Sequence, residues 1–319
     1  MKLQTKAIYN SLRLSEDSSD VPSWALEDLR NAPLEALFQK LSELDVFLDK
    51  QSFTSFAAEC DTPEDLTDLL IEDSAEPDLH DRAYLLLFEI WRRMFPERQS
   101  LSIFGDELDH RIFLYDQGAL ESDEPIQDIL ANLQEILDEN LDEGETPTAI
   151  FQAVSEYCAH DLEGFLYDYI AALLDDQDEG YASELLEGFS PFLPKSVWFE
   201  FLRARLVSFT DPLKANADIA RILDRSRELE TSFLFEVLGF LSVSGEHPLF
   251  IAVIQTIIAQ LETEEEFEEL MAIAADYYRR LDQEDVEKAI ERLMEKRSAK
   301  SLNFNRQDPD VQAFARSLK

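Results

Sequence analysis

The chain has 319 residues, of which 45% are apolar and 11% aromatic, and it carries a formal net charge of −40. Its 22 Phe, 9 Tyr and 3 Trp can fill a large core, which argues against a globally disordered chain. The excess of carboxylates argues against direct binding to nucleic acid or to an anionic membrane, because both need clustered Lys and Arg. A basic protein surface is the class of partner that this charge favours.

Helical periodicity begins at Trp24 and continues to the end of the chain. Residues 1–22 mix Ser, Asp and Lys with scattered apolar residues, and they are predicted to be a flexible N-terminal tail. Beyond them, apolar residues recur every three or four positions, and no stretch alternates apolar and polar residues over the length of a strand. In chain order, the predicted helices span 24–31, 33–50, 52–59, 63–72, 78–95, 100–116, 124–142, 147–158, 161–175, 179–190, 195–209, 212–226, 230–243, 247–261, 264–281, 284–299 and 309–317.

Signals for helix ends support these boundaries. Thr62 and Thr263 each place a capping hydroxyl before a first turn whose third residue is acidic. A glycine that follows a periodic run is typical of a helix C-terminus, where a left-handed residue closes the last turn. The glycines in such positions are Gly118, Gly144, Gly180 and Gly245.

These elements predict an all-α fold. From residue 78 onward, a pair of helices takes about 37 residues, which lies between the 34 of a TPR and the roughly 40 of a HEAT repeat. The TPR consensus residues are absent. The pattern therefore predicts an irregular right-handed array of antiparallel helical hairpins, an α-solenoid by period alone. Two prolines in 190–195 suggest an acidic N-terminal lobe at 23–190 and a C-terminal lobe at 191–319; one continuous array is the alternative.

Negative charge is concentrated in the middle of the chain. Residues 112–194 hold 21 Asp and Glu and no Lys or Arg, which is just over half of the net charge in about a quarter of the length. An acidic run is most often a solvated helix face, but such a face normally mixes both signs. We interpret this one as a surface that binds a basic partner protein. The predicted partner-binding residues are Asp128, Glu135, Asp138, Glu139, Asp142, Glu143, Asp175, Asp176, Asp178 and Glu179.

Motifs for catalysis or metal binding are incomplete. The sequence has no glycine-rich phosphate loop and no GxSxG. Glu107 and His110 supply half of a di-iron motif, but the chain has only four histidines and no second Glu-x-x-His. A calcium-loop frame that starts at Asp175 has Leu186 where the bidentate Glu belongs. No catalytic, cofactor-binding or metal-binding residue is predicted, and no cofactor.

The cysteines and the apolar segments bear on the compartment. Cys60 and Cys158 are isolated from each other in sequence and are predicted to be free thiols in a reducing, cytoplasmic compartment. The start of the chain lacks the apolar core of a signal peptide. The alternative interpretation of residues 1–22 is an unstructured export signal for a specialised secretion system. The longest segment without ionisable groups, 248–261, is too short to span a bilayer and predicts a buried helix.

Four interpretations of the function remain on these observations. The leading interpretation is a non-enzymatic helical-repeat scaffold or adaptor whose acidic surface binds a basic partner, because a helical array offers a long surface and short loops. One alternative is a DNA mimic that occupies a nucleic-acid-binding protein. Others are a metal-dependent helical enzyme with carboxylate ligands and a secreted or secretion-associated bacterial protein. The oligomeric state is not predicted.

Two further clusters are open to more than one interpretation. The aromatic residues between Phe189 and Phe209 are dense enough that one side of this region either packs on the next helix pair or receives a ligand. Arg221, Arg225 and Arg227 form the densest basic face of the sequence.

Overall fold

The computed structural model describes residues 23–71, 76–141, 144–225, 229–297 and 304–318. Within these ranges all regular structure is helical and no strand occurs, so the predicted all-α fold is confirmed. After a 3-10 helix at Ser23–Leu26, the α-helices are α1 (Leu34–Glu43), α2 (Lys50–Ala57), α3 (Pro63–Leu70), α4 (Pro77–Met94), α5 (Leu101–Asp116), α6 (Glu124–Leu141), α7 (Pro147–Ser155), α8 (Leu162–Asp175), α9 (Glu179–Phe189), α10 (Val197–Ser208), α11 (Pro212–Arg225), α12 (Thr231–Ser244), α13 (His247–Gln260), α14 (Glu264–Arg280), α15 (Glu284–Arg297) and α16 (Pro309–Ser317).

The chain divides into two compact units. Unit 1 contains the residues up to Asp168 together with Pro191–Pro194, and unit 2 contains Tyr169–Ser190 and the residues from Lys195 onward. The lobes predicted from the sequence, 23–190 and 191–319, stay a prediction, and the predicted tail at 1–22 lies outside the described residues. No helix in the described part of the chain has both the length and the apolar character needed to cross a membrane.

The segment predicted as a helix at 24–31 forms only the short 3-10 helix followed by turns. The Asp28 carboxylate accepts hydrogen bonds from the main-chain and side-chain nitrogens of Asn31, which competes with helix formation. Pro33 has no N–H to give to the carbonyl of Leu29, and Arg93 Nη2 donates to that carbonyl instead at 2.7 Å. Tertiary bonds therefore replace the helical bonds that the periodicity predicts.

The helix predicted at 33–50 is also shorter, because α1 ends at Glu43. Asp45 adopts a left-handed backbone with φ 62°, which turns the chain out of the helix. Asp49 then begins α2, and its side chain forms a reciprocal capping box with Ser52. The leucines at 44 and 48 keep helical spacing across this turn, so periodicity alone could not locate it.

Helix ends elsewhere follow the sequence signals with two exceptions, one of which is Gly245: it caps α12, but with φ −90° instead of a left-handed backbone. Thr62 and Thr263 form the predicted capping boxes, and Gly118 and Gly144 have the expected positive φ. Gly180, predicted to close a helix, instead lies in the first turn of α9. Gln177, with φ 63°, is the left-handed residue after α8.

Arginines from α4 and the turn after it hold the N-terminal segment onto unit 1. Arg93 donates to Glu89 at 2.5 Å and to the carbonyls of Leu29, Arg30 and Ala32 at 2.6–2.7 Å. Arg98 donates to the carbonyls of Ala57 and Cys60, and its guanidinium lies 4.5 Å from the centre of the Trp91 ring. Each guanidinium donates to main-chain carbonyls that accept no helical hydrogen bond. These bonds fix the chain where it enters α1 and where it leaves α2.

Unit 2 contains three consecutive hairpins, α10/α11, α12/α13 and α14/α15. The first helices of these hairpins begin at residues 197, 231 and 264, so successive hairpins are 34 and 33 residues apart. Helix α12 packs on both α10 and α14, so the first helices form one layer. The helical-hairpin array is thus present in unit 2, and its spacing alone does not define a repeat family.

Polar contacts join the open end of each hairpin and show that its helices are antiparallel. Arg225 at the end of α11 pairs with Glu200 near the start of α10 at 2.6 Å. Thr231 and Gln260 join the start of α12 to the end of α13 at 3.1 Å. The buried Arg297 at the end of α15 donates to Glu264 at the start of α14 at 2.7 Å. Each contact fixes the register of its hairpin.

We expect Arg93→Ala to lower the free energy of unfolding by about 2–3 kcal/mol, because it leaves the buried Glu89 with one fewer cation and removes donors from three main-chain carbonyls. Urea unfolding followed by circular dichroism measures this change. Arg221→Ala is the control, because the Arg221 side chain is exposed and its ion pair with Asp218 is worth no more than about 0.5–1 kcal/mol. Equal losses in the two variants would contradict the role given to Arg93.

Candidate functional site

Four of the predicted partner-binding residues, Asp128, Glu135, Asp138 and Glu139, share one exposed face of α6 with Glu124, and we call these five carboxylates the α6 face. At about 100° per residue these five lie within an arc of about 100°, along about 22 Å of helix. The opposite side of α6 is apolar and buried. None of the five carboxylates forms an ion pair with another described residue, so the α6 face is charged and uncompensated within the described part of unit 1. The predicted residues Asp142 and Glu143 lie outside the described residues.

The second predicted acidic segment, at 175–179, belongs to unit 2. Asp175, Asp176, Asp178 and Glu179 are all exposed. Asp175 Oδ1 pairs with Arg205 Nη2 at 2.6 Å, and Asp178 accepts from the main-chain nitrogen of Tyr181 to cap α9. Two of these four carboxylates therefore have structural partners, so this segment differs from the α6 face.

A groove in unit 2 brings part of this segment together with apolar side chains. It has a volume of about 530 Å³, within the usual range for a ligand cleft, and it lies against α10, α12 and α14 and the end of α8. Phe209 and Val243 are 42% and 67% exposed there, although both are large apolar residues. We call it the unit 2 groove. Its apolar lining is Leu174, Phe209, Phe235, Phe240, Val243 and Ile273, and its carboxylates are Asp175, Glu236 and Glu269.

The amino-acid pattern of α12 explains why this groove is apolar. The sequence TSFLFEVLGFLSVS has apolar residues on every side of the helix. One side is buried in the hairpin layer, and the other side contributes Phe235, Phe240 and Val243 to the groove. Phe240 is fixed by an edge-to-face contact with Phe201 of α10 at 5.8 Å. The second apolar side is thus held in place at the surface.

Gly239 lies on the same exposed side of α12. A Cβ built at this position would have no neighbouring atom within 4 Å, apart from the helix itself. The space above the helix backbone is therefore open at the middle of the groove. Glycine lowers helix stability relative to alanine by about 1 kcal/mol, so the residue is not explained by helix propensity.

Sequence analysis missed most of this groove. Of the predicted partner-binding residues, only Asp175 lines it, and the aromatic cluster at 189–209 contributes only Phe209. Trp198 and Phe201 of that cluster pack on Phe233 with ring centres 5.0 and 5.8 Å apart, as core residues do. The available signal was the apolar character of α12 on all sides together with its central glycine.

A buried carboxylate of α5 binds the loop that contains His160. Asp109 of α5 is fully buried and accepts from Ala159 N at 2.7 Å, His160 N at 3.0 Å and His160 Nδ1 at 2.7 Å. These bonds hold the loop before α8 against α5. Gly105 is needed at this crossing, because a Cβ there would collide with the Tyr157 carbonyl.

The half-motif at Glu107 is also occupied by structural contacts. Glu107 pairs with Arg30 at 2.9 Å and with Arg111 at 2.8 Å, and Arg30 pairs in addition with the buried Asp106. Burial raises the pKa of Asp106 to about 6, although Arg30 and Arg92 oppose the shift. At Glu107 burial is outweighed by Arg30 and Arg111, so its pKa is lowered. Within the described ranges, no group of three His, Cys, Asp or Glu side chains is arranged to hold a metal ion.

The predicted basic face at 221–227 is partly neutralised. Arg221 pairs with Asp218 and Arg225 with Glu200, while Arg227 lies outside the described residues.

Comparison with protein-family models, with curated proteins and with solved structures finds no match for this chain.

We expect Asp106→Asn to gain stability relative to the parent protein as the pH rises. The folded pKa of Asp106, about 6, lies above the unfolded value near 3.8, so its protonated form stabilises the fold and this contribution is lost as the pH rises through 6. Asparagine does not titrate, so the difference between variant and parent should shift in favour of the variant by about 2–3 kcal/mol between pH 4 and pH 7. Urea unfolding at several pH values measures it.

The neighbouring variant Glu107→Gln is the control of opposite sign. The folded pKa of Glu107 is lowered, so its ionised form stabilises the fold above the unfolded pKa and this contribution is lost as the pH falls. The variant should therefore lose stability relative to the parent as the pH rises from about 4. If both variants moved in the same direction, the assignment of the two carboxylates would be wrong.

We expect both cysteines to resist thiol reagents in the folded protein. Cys60 and Cys158 are free and buried, and burial raises the pKa of both thiols, with a further contribution at Cys158 from Asp109. A disulfide-exchange reagent at pH 8 should react slowly with the native protein and should titrate two thiols once it is unfolded in urea. Rapid native reaction of one thiol would show that its site opens to solvent.

Proposed function

We propose that this protein is a non-enzymatic helical scaffold that binds a basic partner protein. The observation that carries the proposal is the α6 face, whose five exposed carboxylates have no compensating cation among the described residues. Like charges held on one helix repel one another, so a basic surface that approaches them gains attraction and relieves that repulsion. A helix presents such a row rigidly, which suits recognition of a complementary surface.

The carboxylates of α4 and α5 contrast with those of the α6 face. Glu89, Asp106, Glu107 and Asp109 are each engaged by arginine, histidine or main-chain donors. Such groups hold helices and loops together in unit 1. The carboxylates of the α6 face, by contrast, have no ion-pair partner among the residues that the structure describes.

We expect reversal of the α6 face to weaken binding of a labelled oligolysine peptide by about tenfold or more, which corresponds to about 1.4 kcal/mol. The variant changes Asp128, Glu135, Asp138 and Glu139 to Lys. Three of these lie in the C-terminal half of α6, where cations interact well with the helix dipole, so the melting temperature should be unchanged or higher. Fluorescence anisotropy measures the dissociation constant at about 0.01 M and 0.15 M salt, and the loss should be larger at low salt.

A matched variant separates a local surface from overall charge. It reverses four exposed carboxylates that are scattered over unit 1, so both variants have a net charge of −32 in place of −40. The scattered positions are Glu43, Glu59, Glu97 and Glu156. Equal loss of binding in the two variants would mean that only net charge matters, and the proposed role of the α6 face would be rejected.

A further inference from the structure

We infer that the unit 2 groove binds a short amphipathic helix of the partner, with apolar residues on one side and Lys or Arg beside them. This inference deepens the proposed function and rests on it for the basic character of the partner. It places a second binding site in unit 2 and names the chemistry that the site recognises. The inference stands on three observations: exposed apolar side chains, an acidic rim and open space over a glycine.

The exposed apolar side chains identify the groove as a contact surface. Phe209 and Val243 lie in a concave site instead of being scattered singly over the surface. Single exposed apolar residues are common, whereas a contiguous apolar cleft marks a site that is covered by a ligand or a partner. Covering these groups would remove apolar area from water.

The acidic rim determines the sign of the charge that a bound segment should carry. Asp175, Glu236 and Glu269 line the groove, whereas Arg205 is the single cation among its described lining residues and its side chain is largely buried against Asp175. The rim therefore carries net negative charge, and the neighbouring Asp176 and Asp178 add to it. An acidic segment would be repelled, and so would a second copy of this chain, which has a net charge of −40. A segment with flanking Lys or Arg is complementary.

The walls of the groove determine the conformation of the occupant. They are the sides of helices, whose backbone groups are already paired, so no free strand edge is present to receive an extended peptide. A bound helix satisfies its own backbone and needs only side-chain contacts. The lining residues of α12 run from Phe235 to Ser244, about 13 Å at 1.5 Å per residue, which matches two to three turns of helix.

Gly239 lets this helix approach closely. It lies midway along the α12 wall, and the absence of any atom within 4 Å of an added Cβ leaves room for a ligand side chain against the α12 backbone. The same open space makes a decisive test available. A side chain added at this position would start in open space, because its Cβ meets no atom within 4 Å.

The test is binding of a labelled peptide of about twelve residues, with Leu at positions i, i+3, i+4 and i+7 and Lys at the remaining positions. We expect Gly239→Phe to weaken its binding by about tenfold or more, because the phenyl ring occupies the space of the anchoring leucines. Gly239→Ala should bind about as the parent does. The matched control is Ala252→Phe, at an exposed position of α13 that does not line the groove.

Val243→Lys provides a second variant. This residue is exposed, so the change leaves the core intact while it adds a cation that repels the peptide. Circular dichroism and melting temperature establish that each variant is folded. Unchanged peptide binding in both Gly239→Phe and Val243→Lys would overturn the inference, and so would equal binding of a scrambled peptide with no apolar side. A parent dimer that these two variants dissociate would overturn it in favour of self-association.

The failure of this inference and the failure of the proposed function are separable. Oligolysine has no apolar anchor, so its binding to the α6 face should not change in Gly239→Phe. Conversely, the amphipathic peptide should still distinguish Gly239→Phe from Ala252→Phe when the α6 face is reversed. If reversal of the α6 face has no local effect but the groove variants lose the peptide, only the proposal for the α6 face is rejected.

Discussion

Three buried carboxylates on α4 and α5 organise unit 1. Glu89, Asp106 and Asp109 are at most 1% exposed, and a carboxylate in such a place costs several kcal/mol unless charged or N–H partners surround it. Each therefore requires partners: Arg92 and Arg93 of the same helix for Glu89, Arg30 for Asp106 and the loop before α8 for Asp109. Through Asp106 and Asp109, α5 holds segments that are between 50 and 76 residues away in sequence.

Unit 2 is organised differently, by apolar layers and by contacts at the ends of its hairpins. The helices α10, α12 and α14 pack side by side, and a polar contact closes each hairpin at its open end. Because contacts at the hairpin ends fix the register of the helices, the side chains on the outer side of the layer can differ in polarity from one helix to the next. On α12 the outward side is apolar, and the groove at this layer follows directly from that composition. Helical arrays commonly bind partners on such extended surfaces.

The acidic middle of the sequence is divided between the two units. The carboxylates of the α6 face have no ion-pair partner among the described residues, so they are hydrated and accessible to an approaching cation. At 175–179, Asp175 pairs with an arginine and Asp178 caps a helix, and the groove beside them adds apolar contact area. Charge alone gives attraction at a distance, whereas buried apolar area and shape give selective binding. In the proposed binding, the α6 face therefore contributes electrostatic attraction, whereas the unit 2 groove contributes apolar contact area and shape.

The sequence by itself determined the helical class, most helix boundaries, both predicted capping boxes and the exposure of the α6 carboxylates, because these depend on local periodicity, capping chemistry and the side of one helix. Only the tertiary structure decided that 24–31 is not an α-helix, since its carbonyls bind an arginine about 60 residues away. Only the tertiary structure, too, revealed the unit 2 groove, whose lining comes from four helices. A helix that is apolar on every side predicts burial, and which side stays uncovered depends on what its neighbours present to it.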